Sequence, residues 1–323
     1  MLLLGFSSGL PLALTAGTLQ AWLASENVDI VAIGWFALVG QPYTYKFLWA
    51  PLMDRYTPLP FLGRRRGWLL VTQLALAAAI CFMGTLRPAD SAWLLGATAL
   101  AVAFLSASQD VVFDALRTDW LEREERGAGA AVSVLGYRIA MLVSGAGALI
   151  LADQWLGWSA TYWLMAALMA VGMLATWYVV EPEPDGGAPK TLDEAVVKPF
   201  AEFFTREGAL ALLVLVVLYK LGDAFAGNLT TTFLLRGPGF SLTEIGAINK
   251  GFGLAATIAG ALAGGALMAK MRLYRALLLF GILQAVTNLG FMLLAASGKS
   301  YALMVAVIGL ENLCGGMGTA AYV

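Results

Sequence analysis

Runs of about 20 apolar residues recur along the whole of this chain, each long enough to cross the roughly 30 Å core of a bilayer as a helix. They lie near 1–24, 30–53, 68–86, 91–117, 130–152, 158–180, 209–232, 243–268, 273–296 and 300–323. A chain of this kind must satisfy its backbone inside each segment, so the expected class is an all-α membrane protein with about ten spans. Composition agrees: 60% of residues are hydrophobic and 13% charged, against roughly 25% charged in a soluble domain. The first run lacks a basic leader and more runs follow it, so it reads as a retained helix rather than a signal peptide.

Seven ionisable residues interrupt these runs. Asp110 and Asp114 fall in the fourth, Arg138 in the fifth, Lys220 and Asp223 in the seventh, Lys250 in the eighth and Glu311 in the tenth. A charge at membrane depth costs several kcal/mol, so such residues mark water-filled pathways. Carboxylates recur on every third run, which implies three-helix repeats around one central cavity, the architecture of a transporter.

Lysine and arginine set the expected orientation. Thirteen flank the connections after runs 2, 4, 6 and 8, whereas the other side holds three, Arg87, Arg236 and Lys299. By the positive-inside rule the four basic connections and the N-terminus are cytoplasmic. The longest connection, 181–208, opens with EPEPDGGAP, which cannot continue a helix. Thr191 to Glu194 then reads as a capping box that starts a short amphipathic segment. The expected domains are a six-helix bundle at 1–180, a cytoplasmic linker at 181–208 and a partial second bundle at 209–323. The basic turns GRRRG (63–67) and KMRLYR (270–275) suggest two pseudo-symmetric halves, the second incomplete. The chain ends inside its tenth run, so a longer protein is expected.

At this point particular stretches carry a resemblance. LGFSSGLPLALTAGTLQAWL (4–23), FLWAPLMDRYTPLPFLGRRRGWLL (47–70), SASQDVVFDALRTD (106–119), LYKLGDAFAGNLTTTFLLRG (218–237) and ENLCGGMG (311–318) are similar to the AmpG-type muropeptide permeases. That family lies within the major facilitator superfamily. The superfamily's conformational motif is present as Asp54-Arg55 and Gly63-Arg64-Arg65, with Ala50 standing where a glycine is usual. The resemblance implies a multi-pass protein of the Gram-negative inner membrane. It implies import of GlcNAc-1,6-anhydro-MurNAc and its peptides from periplasm to cytoplasm, driven by protons, for cell-wall recycling and β-lactamase induction.

The residues themselves leave alternatives open. Asp110 and Asp114 share one helical face. Asp110 and Arg138 lie at matching depths, about 12 Å above the connection that joins their runs. They form either a static ion pair or a proton site with a movable partner. Asp114 has Arg117 as a second possible partner. Lys220 and Asp223 either neutralise each other on one helix or face the cavity. Glu311 and Asn312 precede three glycines, Gly315, Gly316 and Gly318, which suit close packing or bending.

A muropeptide offers hydroxyls, amides and carboxylates, so candidate binding groups are Thr15, Thr18, Gln20, Gln41, Tyr43, Tyr45, Gln109, Tyr137, Lys220, Asn228 and Asn312. Candidate proton-coupling residues are Asp110, Arg138, Asp223, Asp114 and Glu311, because the chain has no histidine. No cofactor or metal is expected, and the partners expected are substrate, protons and lipids around a monomer. A net charge of −1 gives no basis for nucleic-acid binding. Cys81 and Cys314 sit in apolar runs and read as buried thiols. An embedded enzyme is disfavoured, since no nucleophile–base pair, metal cluster or phosphate loop accompanies the carboxylates. A transporter for another large anionic solute, such as an acetyl-CoA-like molecule, stays open.

Overall fold

The computed structural model describes residues 1–122, 126–181, 204–205, 208–268 and 271–322, and these are helical wherever they are regular. Seven helical stretches among the described residues are long and apolar enough to cross a membrane. One of them, Val132–Tyr178, takes in two of the expected runs, and its backbone turns left-handed at Gly157 (φ +68°) between them. The run at 30–53 is not one helix. It breaks into α-helical and 3₁₀ pieces from Ile30 to Arg55, with Gly34, Gly40, Pro42 and Pro51 interrupting the ladder. The first run also breaks, at Ala16 (φ −116°, ψ −111°), five residues after Pro11 and just before Gly17.

The chain divides into two compact units, Met1–Ser144 with Trp155–Leu210, and Gly145–Gln154 with Ala211–Val323. The first unit contains α1 (Leu2–Thr15), α2 (Gly17–Ser25), α3 (Ile30–Phe36), α4 (Ala50–Arg55), α5 (Arg64–Thr85), α6 (Pro88–Trp120), α7 (Arg126–Leu142) and α8 (Gly157–Tyr178). In lipid there is no hydrophobic gain from helix pairing, so small residues that admit close packing do the work. Here α1 lies against α7 along a Gly5-x-x-x-Gly9 stripe. A Cβ at Gly5 would stand 2.2 Å from the Ser133 carbonyl oxygen, and one at Gly9 2.5 Å from that of Tyr137. Gly136 answers from α7, where a Cβ would meet the Leu2 carbonyl oxygen at 2.1 Å. Thr18 donates to the Ser144 carbonyl oxygen (2.7 Å), and Tyr162 to that of Leu14 (2.9 Å).

The second unit contains α9 (Ala209–Arg236), α10 (Gly253–Met268), α11 (Leu273–Ser297) and α12 (Tyr301–Tyr322). It repeats the same packing device. Gly260 and Gly264 on α10 back onto Leu313 and Met317 of α12, and Gly316 of α12 backs onto the Thr257 carbonyl oxygen at 2.1 Å from a built Cβ. A π-helical stretch, Gly246–Phe252, precedes α10 and carries Lys250. Cys314 is buried as expected, but Cys81 is exposed on the outside of α5. Large apolar side chains such as Trp93, Leu262 and Met292 are likewise exposed, as a surface bathed in hydrocarbon requires.

Candidate functional site

The expected polar residues gather most densely in the first unit. A cavity of 280 Å³ is lined by Ser8 of α1, by Asp110, Phe113, Asp114 and Arg117 of α6, and by Ser133, Val134, Tyr137 and Arg138 of α7. The glycine-to-backbone contacts of α1 with α7 bring Ser8 to within reach of this wall. Asp110 accepts a 2.5 Å hydrogen bond from Ser8 Oγ. Asp114 pairs with Arg117 at 3.1 Å, one turn along the same helix, and the Arg117 guanidinium also lies over the Phe113 ring.

The Asp110–Arg138 pair that equal depth suggests is not made. Arg138 forms no ion pair among the described residues, and its guanidinium donates to the Met141 sulfur at 4.0 Å. Residue counting fixes height along a helix but not azimuth, and Ser8 on a third helix takes the position facing the carboxylate. Asp110 and Arg138 still share one cavity. The sequence held a signal for Ser8 in the run Ser7-Ser8 between two glycines, at hydrogen-bonding range once α1 packs closely.

Other expected residues go elsewhere. Gln109 is buried beside the cavity and donates to Ser7 Oγ at 3.3 Å. Thr18 and Gln20 are buried in the first unit away from this cavity, with the Thr18 hydroxyl spent on Ser144. Gln41 is exposed. Lys220, Asp223 and Asn228 lie on α9, and their side chains fall outside the described residues. In the second unit both Glu311 oxygens accept from amides, Oε1 from Gln284 (3.3 Å) and Oε2 from Asn312 (2.8 Å). Asn312 accepts in turn from Thr257 at 3.0 Å, so α10, α11 and α12 meet in one polar chain.

The basic turn before α5 is a separate cluster. Arg65 bridges two carboxylates, pairing through Nη1 with Asp54 and through Nε with Asp119 at 2.9 Å. Arg64 donates to the Asp54 carbonyl oxygen at 2.8 Å, and Arg55 lies over the Tyr56 ring. Gly63 takes a left-handed conformation (φ +87°), and a Cβ there would strike the Glu181 side chain. Glu181 accepts from the backbone N–H groups of Arg65 (2.8 Å) and Arg66 (3.0 Å). Asp119 and Glu181 were not singled out in the sequence. Their signal is weak, an acid at the far end of a neighbouring run in each case.

Residues 1–323 match the profile of the Major Facilitator Superfamily. A Rickettsia felis protein named transporter AmpG 4 is 34% identical over 330 residues, with 99% of this chain and 79% of that protein covered. The chain belongs to the AmpG-type branch of the major facilitator superfamily. An Escherichia coli K12 relative of this AmpG-type chain, named anhydromuropeptide permease, is 60% identical over 323 residues. That alignment covers all of this chain and 66% of the relative, so the chain spans just under two thirds of its length. Among solved structures, the D-xylose-proton symporter superposes with a TM-score of 0.69 at 13% identity, covering 99% of this chain and 80% of that one. An inward-facing, unoccupied bacterial Spinster homologue gives 0.63 at 17% identity, covering 98% and 74%. Both likenesses establish the shared fold.

Proposed function

We propose that the full-length protein is a permease, not an enzyme, that imports GlcNAc-1,6-anhydro-MurNAc and its peptides across the inner membrane of a Gram-negative cell. The observation that carries this reading is the 60% identity to the anhydromuropeptide permease across every residue of the chain. The basic turns face the cytoplasm, and transport runs inward by alternating access coupled to protons.

The cavity supports a coupling scheme. Asp110 is a carboxylate at membrane depth that accepts from a hydroxyl and forms no ion pair among the described residues, with Lys46 within electrostatic reach, which suits it to take up and release a proton. Arg138, on the same cavity wall, forms no ion pair among the described residues and is placed to meet a substrate carboxylate. A substrate carboxylate entering this space is repelled by an ionised Asp110. Protonating Asp110 removes that repulsion, so proton and substrate each favour the other's binding, as symport requires. The Arg65 cluster, which ties Asp54 to Asp119, holds the α4, α5 and α6 ends together in this conformation.

The test is uptake of labelled GlcNAc-anhydro-MurNAc-tripeptide into vesicles bearing the full-length protein, with and without an imposed proton gradient. Gradient-driven accumulation is expected, with Asp110→Asn abolishing accumulation but retaining downhill exchange. Accumulation by Asp110→Asn with normal pH dependence would move the proton site to Asp223 or Glu311. No uptake by the unaltered protein would sink the substrate assignment.

A further inference from the structure

The broken course of residues 30–55 brings a cation up to the carboxylate at Asp110. Lys46 opens a 3₁₀ turn, Lys46–Leu48, that is followed by Trp49. Residues three apart eclipse in such a turn, so Lys46 and Trp49 project from the same side of it. Trp49 fixes what that side faces. Its ring lies against Phe104 (4.7 Å between ring centroids), and its Nε1 donates to Ser108 Oγ at 2.9 Å. Ser108 is itself held by donating to the Phe104 carbonyl oxygen at 2.8 Å. Both partners belong to α6, and Ser108 precedes Asp110 by two positions. In this arrangement Lys46 comes within electrostatic reach of Asp110, yet it makes no hydrogen bond or ion pair among the described residues.

A carboxylate that takes up a proton must also surrender it, and the other groups around Asp110 do little to force that. Ser8 of α1, Tyr43 of the broken segment and Tyr137 of α7 are uncharged. Asp114, one turn along α6, is a like charge, and its own partner is Arg117. Arg138 of α7 shares the cavity with its guanidinium turned to Met141. The ammonium of Lys46 acts in the needed sense, because a nearby positive charge favours the ionised form of an acid. Its influence depends on where its segment lies. Gly40, Pro42 and Pro51 interrupt the helical ladder on either side of Lys46, so the segment can carry the ammonium toward or away from α6 without bending that helix. We propose that Lys46 is the positioning residue for proton release. With Trp49 docked on Ser108 its charge drives the Asp110 proton off to water, and with the segment undocked the proton stays. The inference rests on the reading of Asp110 as the proton site.

Infrared titration of the purified full-length protein reads the proton directly, through the carboxylic C=O stretch that Asp110→Asn removes. Lys46→Gln is expected to move the midpoint of that band up by about one pH unit, the shift a unit charge produces from roughly 10 Å at an effective dielectric of about 20. Lys46→Arg keeps the charge and is expected to leave the midpoint in place, which separates charge from packing. Trp49→Phe keeps the ring and loses the hydrogen bond to Ser108; its midpoint is expected to move the same way by a smaller amount. Lys46 has no partner to lose, so Lys46→Gln should melt with the unaltered protein, and a moved midpoint is then not a sign of misfolding. An unmoved midpoint in Lys46→Gln overturns the inference and leaves Asp110 as the proton site. A Trp49→Phe midpoint that stays put while that of Lys46→Gln moves overturns the docking through Ser108. If Asp110→Asn removes no titrating band, the proton-site reading falls and this inference with it.

Discussion

Replacing Gly5 with alanine should cost stability and loosen the cavity, although alanine is the better helix former. The added Cβ would stand 2.2 Å from the Ser133 carbonyl oxygen, whereas ordinary contact begins at 3.4 Å. The obstruction is backbone, so no side chain can swing away, and α1 and α7 must part by about 1 Å. Overpacking of this kind costs about 1–3 kcal/mol, and the gain in helix propensity returns at most about 1 kcal/mol. The net expectation is a loss of about 1–2 kcal/mol. Separating the helices also moves Ser8 away from Tyr137 and Arg138 across the cavity, and a displacement of that order commonly costs about 100-fold where groups must act together. Gly265→Ala is the control, since a Cβ there meets nothing within 4 Å. Thermal unfolding in detergent should place Gly5→Ala a few degrees below the unaltered protein and Gly265→Ala at or above it. If Gly5→Ala melts with Gly265→Ala, the two helices are not interlocked at the backbone and the argument fails.

Two further outcomes follow from the electrostatics. Substrate affinity should rise as pH falls through the titration of Asp110, because one negative charge leaves the cavity; at about 8 Å and an effective dielectric near 20 that is worth ~2 kcal/mol, or ~30-fold. Asp110→Asn should bind tightly at every pH, and a variant that kept the pH dependence would point to another carboxylate. Arg65→Ala strands Asp54 and Asp119 beside each other, which after allowance for their partial exposure should cost about 2 kcal/mol. Arg65→Lys should fall between, because an ammonium cannot fork to both acids; melting temperatures equal to the unaltered protein for either variant would refute the bridge.

Much of the fold was legible because a bilayer imposes length and apolarity on every span, and hydropathy reads both directly. The broken course of residues 30–55 was legible in principle from Pro42 and Pro51, but apolar content masked it. Within the site, Asp110 and Arg138 were found as charges in the wrong solvent, a signal that needs no partner. Their partners were not found. Ser8, Asp119 and Glu181 bond to groups on elements distant in sequence, and a single sequence records no such neighbours. The Asp114–Arg117 pair was legible because both ends sit on one helix.

The start of α5 has a consequence for how the chain is made. Three successive arginines occupy the end of a helix whose dipole is already positive, an arrangement that disfavours helix formation by up to about 1 kcal/mol per charge. Asp54 is available as soon as the turn is synthesised, and Asp119 follows with α6. The backbone N–H groups of Arg65 and Arg66, however, wait for Glu181, more than a hundred residues downstream. For a protein inserted from its N-terminus, one of the earliest turns to leave the ribosome is therefore not completed until the end of α8 has followed it. Until the end of α8 arrives, that turn is held by the Arg65 pairs with Asp54 and then Asp119.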